Sequence, residues 1–151
     1  IDELWKTEVK ADKAYKVLVV EDSPTIRKML EKNLLNSNFA VKMTNNGEEA
    51  EKYLNKIKNK AEAEDKSINE FVDIVISDIE MPLVDGFTLT KRIKAESIFK
   101  TVPVVLYSSI ITDELRHKGE SVGADFQVSK PDMNKMAEMA IKLIKEQTTS
   151  I

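Results

Sequence analysis

Five short runs of apolar, often β-branched residues recur along the chain: Val17-Leu18-Val19-Val20, Ala40-Val41-Lys42-Met43, Ile74-Val75-Ile76, Val102-Pro103-Val104-Val105-Leu106 and Phe126-Gln127-Val128. Three of them hold almost no polar position, as strands buried on both faces should. Between the runs the apolar spacing lengthens to three and four. Ile26, Met29, Leu30 and Leu34 fall on one helical face, and so do Ala50, Tyr53, Leu54 and Ile57. Asn46 and Glu49 stand ahead of the second of these helices as a capping box. Leu89 and Ile93 mark a third helix, Leu115 and Val122 a fourth. Met133, Met136, Ala137, Ala140, Ile141 and Ile144 make the clearest stripe of all. A methionine-rich stripe can serve as a groove for a partner. Core packing by a terminal helix is the commoner use of such a pattern and the one expected here.

Strands alternating with helices predict βαβ units and a parallel sheet. Right-handed crossovers then give an α/β fold, a doubly wound (βα)5 three-layer sandwich. The stretch from Asn55 to Glu70 is charged and loses its apolar rhythm after Ile57. It predicts a helix extension followed by a solvated loop.

A length of 151 residues suits one domain with one core. Residues 1–15 are charged and read as an entry linker, 16–146 as the domain, and 147–151 as a tail. Hydrophobic residues make up 42% and charged residues 32%, a soluble globular composition. The net charge is −3 with both signs interspersed, so no basic face invites nucleic acid. The absence of cysteine excludes disulfides and thiolate metal sites, and fits a cytoplasmic location. No apolar run is long enough to span a bilayer, and no secretory signal is visible. The chain opens on Ile1 and not on Met, so it is expected to start inside a longer protein or to be an excised piece of one.

In an open parallel sheet, chemistry collects at the carboxyl ends of the strands. Glu21 and Asp22 follow the first strand, Asp78 the third, Ser108 and Ser109 the fourth, and Lys130-Pro131 the fifth. Taken singly, an acid pair is a solvated turn, a serine pair a helix cap, and Lys-Pro a loop. Together they bring three acids, a hydroxyl and an amine to one edge. Three carboxylates held together repel, and a divalent cation removes the conflict. Hard oxygen donors suit Mg²⁺ or Mn²⁺. A cation beside Lys130 makes a receptor for a phosphoryl group, whose transfer requires mainly positioning and charge neutralisation. A carboxylate can then act as the nucleophile and form an acyl phosphate.

The motifs KVLVVEDS, SDIEMPLVDGF, PVVLYSS and GADFQVSKP resemble, in order and position, those of two-component receiver domains, the CheY-like family. The resemblance covers Lys16 to about Lys145. It implies a five-stranded sheet in the order 2-1-3-4-5. It also implies that Asp78 is the phosphoacceptor, that Asp22 is a direct metal ligand, and that Glu21 holds the ion through water. The backbone carbonyl of Glu80 completes the protein's share of the metal shell. Ser108 bonds a phosphoryl oxygen, and Lys130 pairs with Asp78 and then with the phosphoryl group. The segments SDIEMPLVDGFTLTKRIK and ELRHKGESVGADFQVSKP, with the pair Ser108-Ser109, further resemble the receivers of CheV-type chemotaxis proteins. In those proteins a CheW-like coupling domain precedes the receiver. Asp22 and Asp78 lie 56 positions apart, longer than in a minimal receiver by about three helical turns. The charged extension that fills this gap is similar to that subfamily's.

The implied function is a phosphoacceptor that takes a phosphoryl group from a histidine kinase, CheA, within a chemoreceptor complex. A stand-alone response regulator, or the receiver of a protein with another output, is the alternative. A turnover enzyme is not expected: aspartyl phosphatases carry Asp-x-Asp, where this chain has Asp78-Ile79-Glu80. The sole histidine, His117, is expected on a helix surface. Three positions depart from the family pattern. Glu21 replaces an aspartate, Ser109 a smaller residue, and Gln127 the aromatic that switches many receivers. Gln127 is therefore expected to hold the Ser108-Ser109 loop through its amide, with Tyr107 the next candidate for a switch.

Overall fold

The computed structural model describes residues 13–129 and 135–149. The strands are β1 (Lys16–Val20), β2 (Ala40–Thr44), β3 (Ile74–Asp78), β4 (Val104–Ser108) and β5 (Phe126–Ser129). The helices are α1 (Pro24–Asn36), α2 (Gly47–Glu64), α3 (Gly86–Lys94), α4 (Asp113–Val122) and α5 (Met136–Thr149). All four strand pairings are parallel, and the sheet order is β2-β1-β3-β4-β5. The order reverses at β1, so the carboxyl ends of β1 and β3 flank the switch point where such sheets form their crevice.

Helices cover both faces, and the strand residues alternate between two cores. Leu18, Val20, Val75, Val104 and Leu106 pack under α2 and α3. Val17, Val19, Ile74, Ile76, Val105 and Tyr107 pack with α1 and α5. Met136, Ala137, Ala140 and Ile144 are buried in the second core, so the methionine-rich stripe is packing for the described residues; Met133 lies outside them.

Several elements differ from expectation for identifiable reasons. Tyr15, read as linker, is buried against Phe39, with ring centroids 6.3 Å apart. Its carbonyl accepts the N–H of Ala40 at 2.8 Å, which starts the β1–β2 pairing. Helix α5 continues through 147–149, read as tail. Helix α2 does extend past Ile57, to Glu64, with Ala61 supplying one more buried turn. A 3-10 turn (Ile68–Glu70) then buries Ile68. Strand β4 starts at Val104, not Val102, because the Val102 N–H turns back to the carbonyl of Phe99. Asn46 does cap α2, accepting the N–H of Glu49 at 2.8 Å, but Glu49 reaches back to the N–H of Asn45 instead of that of Asn46.

Candidate acidic site at the carboxyl edge

Glu21 follows β1 directly, and its N–H still donates to the Thr44 carbonyl at 3.1 Å, so the sheet holds its backbone. Ser23 caps α1 through its hydroxyl and gives its own N–H to Glu21 Oε2 at 2.9 Å. Arg27, one turn into α1, donates Nη1 to the carbonyls of Glu21 and Asp22, each at 3.1 Å. The acid pair is therefore tied from both sides before any ligand is considered.

Asp78 is the last residue of β3 and stands in register with Tyr107 of β4. The Ser77 hydroxyl donates to its carbonyl at 2.9 Å. Glu80 donates its N–H to Asp78 Oδ1 at 3.3 Å. The chain folds back over this point: the N–H of Gly86 donates to Ile79 O, and a Cβ at Gly86 would sit 2.4 Å from the Asp78 carbonyl. Only glycine permits that approach. This explains the Asp85-Gly86 turn that opens α3, where Asp85 is the N-cap.

One carboxylate oxygen each from Glu21, Asp22 and Asp78 lie within 4.8 Å of one another. Glu21 and Asp78 are buried, and Asp22 is exposed. Such a group of hard oxygen donors, two buried and one open to water, fits Mg²⁺ or Mn²⁺ better than a softer ion. The other residues named from the sequence are placed as follows. Ser108 is buried at the end of β4, and its hydroxyl donates to the carboxylate of Glu80. Glu80 and Ser109 are exposed. Lys130 and Pro131 lie outside the described residues. His117 is exposed on α4, as expected.

Gln127 corrects the expected contact. Its Nε2 donates to the Arg116 carbonyl of α4 at 2.9 Å, and its Oε1 is buried without a partner. The amide therefore holds α4 and not the Ser108-Ser109 loop. A Cβ at Gly119 would lie 2.4 Å from the Gln127 carboxamide, so the glycine makes room for it. The sequence signal was present, a glycine in mid-helix, but its partner is in another element.

Sequence reasoning also did not find the contact that Tyr107 makes. The ring is fully buried, and its hydroxyl donates to Glu21 Oε1 at 2.5 Å. Burial first, then the hydrogen bond to Glu21 and the charges of Glu21, Asp78 and Asp22, push the phenol's pKa above its ordinary value, so it remains a donor. A tyrosine at the end of the otherwise aliphatic run Val104–Leu106 was the available hint.

A family model for the response regulator receiver domain matches residues 17–141. Among sequence relatives, CheV2 of Helicobacter pylori is 31% identical over 145 residues, which is 95% of this chain and 44% of that protein. The gliding motility regulatory protein of Myxococcus xanthus is 30% identical over 127 residues, 84% of this chain and 15% of that protein. The chain thus spans less than half the length of either relative. Among solved structures, the chemotaxis protein CheY4 of Vibrio cholerae superposes with a TM-score of 0.70 at 27% identity, covering 86% of this chain and 98% of that one.

Proposed function

The chain belongs to the response regulator receiver family, and from that premise we propose that Asp78 accepts a phosphoryl group from the phosphohistidine of a histidine kinase. The observation that carries this reading is the meeting of Glu21, Asp22 and Asp78 within 4.8 Å at the switch point of the sheet. One carboxylate oxygen of Asp78 bonds to phosphorus as the phosphorus–nitrogen bond breaks. The imidazole nitrogen keeps the electron pair and is protonated from solvent. The rigid end of β3 aims the nucleophile, so approach costs little entropy. The Ser108 hydroxyl exchanges the Glu80 carboxylate for a phosphoryl oxygen. Lys130 supplies the positive charge opposite. Glu21 and Asp22, with Asp78 and the Glu80 carbonyl, would hold Mg²⁺, which when bound neutralises charge on the phosphoryl oxygens. The chain promotes only the formation and the hydrolysis of its own acyl phosphate, and is not a turnover enzyme.

The similarity to CheV2 over 95% of the chain supports a chemotaxis role. On this reading a CheW-like domain precedes the receiver, the phosphodonor is CheA, and phosphorylation tunes coupling in a cytoplasmic chemoreceptor complex. The near-complete coverage of CheY4 favours a second reading, a stand-alone regulator. A CheW-like sequence encoded directly ahead of Ile1 supports the first, and its absence the second. No helix among the described residues is long and apolar enough to cross a membrane.

The phosphoacceptor is tested by intact-mass analysis after incubation with Mg²⁺ and acetyl phosphate. One added phosphate is expected, lost in Asp78→Asn and in EDTA. Equal labelling of Asp78→Asn would place the acceptor elsewhere.

A further inference from the structure

We propose that Tyr107 is a positioning residue for the metal site, matched to a glutamate at position 21. The inference rests on the proposed binding of Mg²⁺ by Glu21, Asp22 and Asp78.

Glu21 is fully buried, and each of its carboxylate oxygens takes a protein donor. Oε1 takes the Tyr107 hydroxyl, and Oε2 takes the Ser23 N–H. A buried carboxylate is costly unless it is hydrogen-bonded, so these donors help to hold it in place. Each oxygen has a second lone pair, which leaves capacity for an ion or the ion's water. The two donors come from different sources. Ser23 is local to the acid loop. Tyr107 belongs to β4, which is separated from β1 by β3 in the sheet. Residues two apart on a strand share a face, so Tyr107 lies on the face of Val105, and Glu21 on that of Val19. Val19, Val105 and Tyr107 indeed share one core. The phenol thus spans the end of β3, where Asp78 stands in register with Tyr107, and ties the acid after β1 to β4.

Side-chain length gives the pair its logic. A glutamate carries its carboxylate one methylene farther than an aspartate, with one more rotatable bond. The Tyr107 hydroxyl fixes that extra freedom at Oε1. With phenylalanine at 107, Oε1 loses its donor and the side chain is free to turn. With aspartate at 21, the carboxylate falls short of the phenol, and the tie between β4 and the acid loop is lost. Either single change breaks the same hydrogen bond. Once one change has broken it, the other has no such bond left to remove, so the two costs do not add.

The test is a cycle of wild type, Tyr107→Phe, Glu21→Asp and the double variant on the full chain. Mg²⁺ affinity is read by isothermal titration calorimetry, and melting is read in EDTA. Each single variant is expected to bind Mg²⁺ about ten-fold more weakly, the lower end of the range for outer-shell partners of a metal ligand. The double variant should bind within about two-fold of the weaker single, and its melting in EDTA should show the same non-additivity, as expected of groups in contact. A tyrosine that acts independently of Glu21 predicts otherwise: the two losses would multiply to about a hundred-fold, and that result overturns the pairing. Wild-type affinity in Tyr107→Phe also overturns it while leaving the metal site intact. If wild type itself binds no Mg²⁺, the metal site fails and the inference with it.

Discussion

The two edges of the sheet use acids in opposite ways. At the amino edge, Asp73 precedes β3 and exchanges hydrogen bonds with Lys16, the first residue of β1: Lys16 N donates to its carboxylate at 2.8 Å, and Asp73 N donates to Lys16 O at 2.7 Å. Asp125 precedes β5 and does the same with Val104, the first residue of β4, at 2.8 and 2.9 Å. The ammonium of Lys94 adds an ion pair to Asp125 at 2.8 Å, with both side chains mostly buried. Each of these aspartates closes the first rung of a strand pair, satisfying a backbone N–H that would otherwise go unmet. At the carboxyl edge, Glu21, Asp22 and Asp78 face one another. Glu21 is met there by a hydroxyl and an amide, and Asp78 by an amide. The residue type is the same at both edges. What separates the two edges is whether the acid is used up in pairing strands or gathered with other acids at the crevice of the sheet.

Three measurements can break or sharpen this contrast. The largest effect is expected at the amino edge. Asp125→Ala removes the acceptor of the Val104 N–H and the partner of Lys94, and should cost about 2 kcal/mol in urea denaturation. A loss of only a few tenths would mean that this acid is as dispensable as a surface one.

The carboxyl edge should respond with the opposite sign. In EDTA, Asp78→Asn relieves repulsion while keeping an oxygen for the Glu80 N–H. It should be more stable than wild type by about 1 kcal/mol, as is common where function holds like charges together. Mg²⁺ at ten times its dissociation constant should stabilise wild type by about 1.4 kcal/mol and the variant by much less. A variant that melts lower in EDTA would show the acids to be as well compensated as those of the amino edge.

The smallest effect concerns pH. Burial raises the pKa of Asp73 above the ordinary aspartate value of 3.8, against the pull of the Lys16 N–H. The folded state therefore holds its proton at a pH where the unfolded chain has lost it. That contribution to stability is complete below 3.8 and is lost as pH rises through the folded value. Asp73→Asn cannot titrate. The urea midpoint of wild type minus that of the variant should fall as pH rises from 3.8. A difference that rises with pH would mean that the Lys16 amide outweighs burial.

The amino-acid order alone determined the five strands, the five helices and the edge at which the acids collect. These depend on local periodicity and on the rule that parallel strands present their ends together. It could therefore mark Glu21, Asp22, Asp78 and Ser108 before any contact was known. What it could not supply were pairings between elements far apart in the chain. Tyr15 read as linker because its partner Phe39 is in the segment before β2. The loop expected after the extension of α2 read as solvated because Ile68, buried in its 3-10 turn, is a single apolar residue that leaves no periodic trace. Gln127 was assigned to the wrong loop because strand neighbours give register, not the direction of a side chain; its amide went to Arg116 on α4, over Gly119. Tyr107 was placed on the right strand without its partner, which stands 86 positions away. Local pattern follows from the backbone's two periods, which any short window displays. Which buried polar groups meet depends on how the layers close, and only the tertiary structure decides that.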